Sequence, residues 1–321
     1  MTKTKRKFRG TLCGILAAIC YGTNPLGALF LYQDHVNTNT VLTHRFSLAA
    51  LLIGSVMLLQ KESFRITRHE LGILASLGIL FAVSSMTLYS SFLYMDAGIA
   101  STLLFVYPIM VAIIMWLFFK EKASVGIFLS TALAFTGIAL LYKTGQGSTL
   151  STFGIMLVML SSLSYAVYIV IINRSSINLP PMKMTFYVLL FCSSCIFIHS
   201  FFSSDTHIHA LPTIRSWGFA LMLAIVPTFL SLTLMTVSIR NIGSTPFAIM
   251  GALEPLTAVV IGVTVFAEDF TGRMCAGIIL ILLGVTLIIV GNPYIYAKKI
   301  SRARRIQKKR TDKLHNQQQY H

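Results

Sequence analysis

The chain has 321 residues, of which 55% are hydrophobic and only 11% charged, at a mean hydropathy of +0.75. Soluble domains carry about 25% charged residues, so this chain has too few to coat a water-facing surface. Its net charge of +16 could suggest a nucleic-acid partner, so the placement of the basic residues along the chain decides that reading.

Charge-free apolar runs long enough to cross a hydrocarbon core of about 30 Å predict ten helices. In chain order they cover 10–32, 40–59, 71–95, 97–119, 124–142, 152–172, 184–203, 216–239, 244–267 and 274–296. Helices are expected because a membrane-embedded backbone must satisfy its own hydrogen bonds, and the alternation of a β-barrel is absent. An even number of spans puts both termini on one side. That side receives Lys3, Lys5, Arg6, Lys7 and Arg9, the basic tail from Lys298 to Lys313, and the loops with Lys61, Arg65, Arg68, Lys120, Lys122, Arg174, Lys183 and Arg240. It collects 22 basic residues; the other side has four, namely Arg45, Lys143, Arg215 and Arg273. The positive-inside rule makes both termini cytoplasmic. The charge is therefore mostly topology, and the tail after Tyr296 is expected to meet anionic lipid rather than nucleic acid. The first apolar run is too long for a signal peptide and reads as a retained helix.

Cys13, Cys20, Cys192, Cys195 and Cys275 all lie inside apolar blocks, an odd set with no extramembrane disulfide framework. The Cys192/Cys195 pair sits mid-helix, where a thiolate is poorly solvated, and is read as packing.

The two halves of the chain match. Pro108, Glu121 and Gly137 recur as Pro255, Glu268 and Gly284, each 147 residues later, and Gly10 and Tyr21 recur as Gly154 and Tyr165 at an offset of 144. Five spans per half is odd, so the second copy enters the membrane inverted. Inverted repeats around a midplane site are a recurring plan of secondary transporters. The expected organisation is a basic cytoplasmic N-terminus (1–9), a first repeat (10–143), a loop (144–151), an inverted second repeat (152–296) and a disordered basic cytoplasmic tail (297–321). The fold class is thus an all-α integral membrane protein.

Tyr21-Gly22 in the first span, Arg45-Phe46 in the second, and the Pro108…Glu121 and Glu254-Pro255…Glu268 segments together resemble the EamA-like branch of the drug/metabolite transporter superfamily, over residues 10–296. Tyr21 departs from the pattern, since many relatives have tryptophan there. The resemblance implies ten helices around a central cavity and carriage of small metabolites, often amino acids and often outward, across a plasma membrane such as a bacterial inner membrane.

Within the spans only Arg45 and Glu254 carry formal charge, and such residues usually face a cavity or a partner. Glu254 lies between small residues and Pro255, whose missing N–H frees a carbonyl. It is either a cavity carboxylate for a cationic group or a coupling proton, or a structural acid bonded to a neighbouring helix. Arg45 stands near the end of its span. It suits a substrate carboxylate or phosphate, or it snorkels to water; different depths argue against a direct pair with Glu254. Tyr21, Tyr107, Tyr165 and Tyr168 lie too deep for interface anchors and are candidate cavity lining, with Asn24 beside Pro25. Tyr89 is equally deep. Thr228, Ser231 and Ser85 read as interhelical hydrogen bonders, and Gly98, Gly243 and Gly262 as packing. His199 is a lone histidine, and His207 and His209 beside Asp205 lack further metal ligands nearby.

No Walker loop, GxSxG or HExxH is present, and no metal or cofactor is expected. The expected partners are a small-molecule substrate and the bilayer, with the chain acting as monomer or homodimer. A nucleotide-sugar or phosphorylated-metabolite carrier is the alternative within transport, and a membrane enzyme or scaffold is the alternative outside it.

Overall fold

The computed structural model describes residues 3–119, 125–142, 151–175, 177, 179–202, 207–242, 247 and 250–291. Glu121, Asp205, Gly243 and the tail 297–321 lie outside them, as does most of the predicted loop 144–151. Every element among the described residues is helical. The first predicted span is α1 (Lys3–Gly22) plus α2 (Asn24–Gln33), and the second and third are α3 (Thr38–Leu59) and α4 (Arg68–Ser91). The fourth is α5 (Ala97–Leu104) plus α6 (Tyr107–Phe119), followed by α7 (Val125–Tyr142), α8 (Thr152–Arg174) and α9 (Pro181–His199). The eighth is α10 (Ile214–Ala224), a π-helical turn (Ile225–Leu230) and α11 (Ser231–Ile242). α12 (Leu253–Phe266) and α13 (Gly272–Gly291) stand at the ninth and tenth.

Among the described residues seven helical stretches are long and apolar enough to cross a membrane, and three shorter apolar helices stand where the fifth, ninth and tenth spans are predicted. Large apolar side chains face outward along them, including Leu51, Leu59, Phe118 and Leu283, each more than half exposed. Soluble monomers rarely show such a continuous apolar surface.

Sequence dictates both the starts and the breaks. Asn37 caps α3 by accepting from Thr40 N at 2.8 Å, and Thr67 with Glu70 forms a capping box on α4. Among the described residues four prolines interrupt spans, and each withdraws the N–H that would serve the carbonyl four residues earlier. Each freed carbonyl has another donor. Asn24 Nδ2 donates to Tyr21 O (2.7 Å) before Pro25, and Ser162 Oγ, from α8, donates to Leu104 O (3.0 Å) before Pro108. Thr228 Oγ1 donates to Leu223 O (2.9 Å) beside Pro227, and Glu254 N donates to Gly251 O (3.0 Å) before Pro255. The spans bend at these points without leaving a buried acceptor empty, which apolar surroundings would penalise.

The packing repeats itself. α3 lies on α9, α5 on α12 and α7 on α13, so the second, fourth and fifth spans meet their own counterparts. α4 on α8 is matched by α11 on α1. Individual residues follow. A Cβ at Gly137 would stand 2.7 Å from Gly277 O, and one at Gly284 would stand 2.8 Å from Ser130 O; the 147-residue offset turns either pair into the other. Likewise Gly10 abuts Asn241 and Ile242, while Gly154 abuts Tyr94 and Met95.

Candidate functional site

The site is built where the broken spans meet α3. Arg45 lies seven residues into α3, about 10 Å below its start at 1.5 Å per residue. It does not snorkel: only 3% of it is exposed. Its Nε donates to Thr228 Oγ1 at 3.0 Å and its Nη1 to Tyr89 Oη at 2.6 Å. Tyr89 Oη in turn donates to Asn24 Oδ1 at 3.2 Å. Thr228 and Asn24 are the residues that serve the carbonyls freed beside Pro227 and before Pro25. Arg45 therefore ties the break in the first span to the break in the eighth through one hydrogen-bonded chain. Its guanidinium also lies 4.9 Å from the Phe46 ring centroid and 5.5 Å from that of Tyr89, where the ring faces offset part of the cost of burying a cation.

Glu254 is placed differently. Among the described residues, no side-chain hydrogen bond and no ion pair within 4 Å involves its carboxylate, which has Arg45 as its opposing charge at longer range. Its backbone is pinned, because Gly22 packs so closely that a Cβ there would stand 2.6 Å from Glu254 O. Tyr21 neighbours both Glu254 and Arg45. Tyr165 lies within reach of Tyr107, Tyr21, Tyr168 and Glu254. The ring of Tyr165 stacks on Tyr168 (centroids 5.5 Å, planes 10° apart) and meets Tyr107 edge-on at 4.8 Å. Tyr21, Tyr107, Tyr165, Tyr168 and Glu254 are each only half-buried although they lie deep between helices. Together they form a deep cluster of phenols around one carboxylate.

All seven predicted site residues thus come together, but in two roles. Arg45 and Asn24 are bound into the bracing chain, while Glu254 and the four tyrosines cluster beside it, with Tyr21 next to both Arg45 and Glu254. Two further members of the cluster, Tyr89 and Thr228, were not expected as site residues. A tyrosine at mid-depth was a visible signal for Tyr89, whereas the role of Thr228 depends on the neighbouring Pro227. Ser162 gave no sign at all. A separate cavity of about 770 Å³ opens on the flank between α3 and α9, lined by residues such as Ser47, Leu51, Gly54, Phe186 and Ser193, and it contains none of the predicted site residues. His199 bonds Asn39 Nδ2 at 3.0 Å, and His207 and His209 engage the chain through backbone atoms. No group of three metal-ligating side chains occurs among the described residues.

The comparisons with known proteins agree with this architecture. The model of the EamA-like transporter family matches twice, over residues 8–143 and 152–290, once per repeat. An uncharacterized transporter of Synechocystis sp. is 28% identical over 66% of this chain and 64% of its own length. The uncharacterized transporter YvbV of Bacillus subtilis is 22% identical over 74% of this chain and 79% of its own. The chain thus spans less than two thirds of the first of these relatives and more of the second. A solved crystal structure superposes with a TM-score of 0.62 at 15% identity, covering 87% of this chain and 95% of its own, which speaks to fold alone. Two copies of one family pattern, folded as a multi-pass integral membrane protein, place this chain in the EamA-like transporter family.

Proposed function

We propose that the protein is a secondary transporter that carries a small metabolite, an amino acid or a related compound, outward by alternating access. The proposal includes ten crossings in two inverted repeats with both termini cytoplasmic. The end of the bundle carrying Asp34, Asp96 and Glu268 is then the outer one. The matched helix contacts of the two halves support this arrangement, since rocking one repeat against the other opens a central site to each side in turn.

The observation that carries the reading is the unpartnered Glu254 carboxylate set deep among tyrosines. A free carboxylate at this depth is costly unless it serves a cation, and phenol faces and hydroxyls suit an amine. Glu254 takes the substrate's ammonium group or the coupling proton. Arg45 is buried and already engaged by Thr228 and Tyr89, so it offers no open fork to a phosphate. That weighs against a nucleotide-sugar or phosphorylated substrate. The chemistry is translocation rather than catalysis, in keeping with relatives named as transporters.

The test is radiolabelled uptake into proteoliposomes of a panel of amino acids and related amines, with and without a pH gradient. Saturable, gradient-dependent uptake that vanishes in Glu254→Gln, with folding retained, is expected. Gradient-independent uptake that survives in Glu254→Gln would remove Glu254 from the mechanism, and the absence of any uptake by folded protein would refute the transport reading.

A further inference from the structure

At the outer end of the bundle, α5 starts without a cap of its own. Asp96 occupies its N-cap position but makes no side-chain bond to the first turn. The first N–H groups of a helix need acceptors from elsewhere, and here the other repeat supplies one. Glu268, just beyond α12, accepts from Ala97 N at 2.9 Å through Oε1 and from Gly98 N at 3.3 Å through Oε2. The carboxylate fits because both neighbouring positions lack a side chain. A Cβ at Gly262 would overlap Glu268 Oε2, and one at Gly98 would stand 3.2 Å from it and 2.9 Å from Val259 Cα.

The backbone that aims Glu268 is strained. Ala267 adopts φ 53° and ψ 35°, a left-handed conformation that costs a residue with a Cβ about 1–2 kcal/mol. This turn lets Glu268 N donate back to Gly262 O at 3.0 Å and folds the side chain over the end of α12. The same left-handed turn closes helices at His35 and Lys61, but only here among the described residues does it carry a carboxylate onto the other repeat. The contact also joins the two repeats. α5, the outer half of the fourth span, packs chiefly on α12 and also on α8, and α6, the other half, packs on α8, α13 and α7.

We propose that Glu268 is the clamp of the outer gate: closure docks its carboxylate on the N-terminus of α5, and opening releases both to water. The proposal rests on the alternating-access reading, and it gives a task to the acid at the end of the second-repeat motif.

The experiment measures distances between paired nitroxide labels by pulsed electron resonance, in full-length cysteine-free protein in nanodiscs. An outer pair replaces Tyr94 and Phe270, each 49% exposed, and an inner pair replaces Arg9, in the first half of α1, and Phe118, at the end of α6. Glu268→Ala removes the acceptor without adding atoms, and Gly262→Ala displaces it. Losing hydrogen bonds to a charged acceptor is expected to raise the outer open-to-closed ratio about tenfold or more, while the inner pair shifts to shorter distances. General loosening by a merely structural residue would broaden both pairs together, and that result, or an unchanged outer distribution in Glu268→Ala, would overturn the clamp. If Gly262→Ala does not fold, Glu268→Ala decides alone. Reciprocal opening in a protein that carries no tested solute would support the clamp and count against the transport reading.

Discussion

Thr228 is the place where the bracing chain is most exposed to a single change. Its hydroxyl does two things at once, donating to Leu223 O at 2.9 Å and accepting from Arg45 Nε at 3.0 Å. Thr228→Val keeps the shape and removes both bonds. The Leu223 carbonyl, already deprived of a helical donor by Pro227, is left buried and unpaired, at a cost of about 1–3 kcal/mol. The Arg45 Nε–H loses a bond of the charge-assisted kind, which contributes about 1.5–3 kcal/mol. Thr228 is 3% exposed, so water does not readily replace either partner. The sum is a loss of about 2.5–6 kcal/mol for the valine variant. Thr228→Ser keeps the hydroxyl and gives up one methyl group, about 0.8 kcal/mol. Equilibrium unfolding from mixed micelles, with a rising fraction of sodium dodecyl sulfate, separates the two. A double-mutant cycle with Arg45→Met should show a coupling of about 1.5 kcal/mol or more, because the two groups share one bond. Valine and serine variants unfolding within 1 kcal/mol of each other would refute the claim that this hydroxyl joins the two breaks.

Two further outcomes are expected. Burial pushes the Glu268 carboxyl above its ordinary range; the Ala97 and Gly98 N–H bonds work against the rise and Asp96 adds to it, while burial followed by Asp269 raises Asp96. The closed gate then binds protons more readily than an open gate whose acids stand in water. Acidifying the outer face should therefore favour closure, and raising the pH through the elevated range should favour opening; outer-pair label distances from pH 4 to 8 check the sign, and Asp96→Asn should shrink the effect. Cysteine labels in the 60–70 loop and at the C-terminus should both react only with reagents that reach the cytoplasm, and reaction from opposite sides would break the ten-crossing topology.

Much of this architecture was legible in the residues. The apolar runs, the 147-residue echo and the two intramembrane charges are visible without coordinates, because lipid imposes length, periodicity and sparse charge on any spanning helix. Proline is legible only by half. Pro108 announces that the Leu104 carbonyl has lost its donor, but nothing local says that Ser162, more than fifty residues on, supplies the replacement. Arg45 illustrates the same limit. Counted along a straight span it sits near an end, where snorkelling is the natural expectation. Bends at Thr23 and in the π-helical turn bring Asn24 and Thr228 into one chain with it. Sequence spacing records position along a helix and says little about what a neighbouring bent helix delivers to that level. Glu254 was legible as an anomaly, although its lack of a partner is a fact of three-dimensional placement.

The seam between α7 and α13 has a bearing on ancestry. Position 137 rests on position 277, and position 284 on position 130, so each contact is the other's image under the repeat. A single five-helix chain inserted in both orientations would have met its own twin across this seam, using one pair of positions twice over. Any substitution there would have struck both contacts together. In the joined chain the two seats are separate genetic loci, and they differ: Ser130 occupies one and Gly277 the other. Each half can change alone while both contacts stay in place.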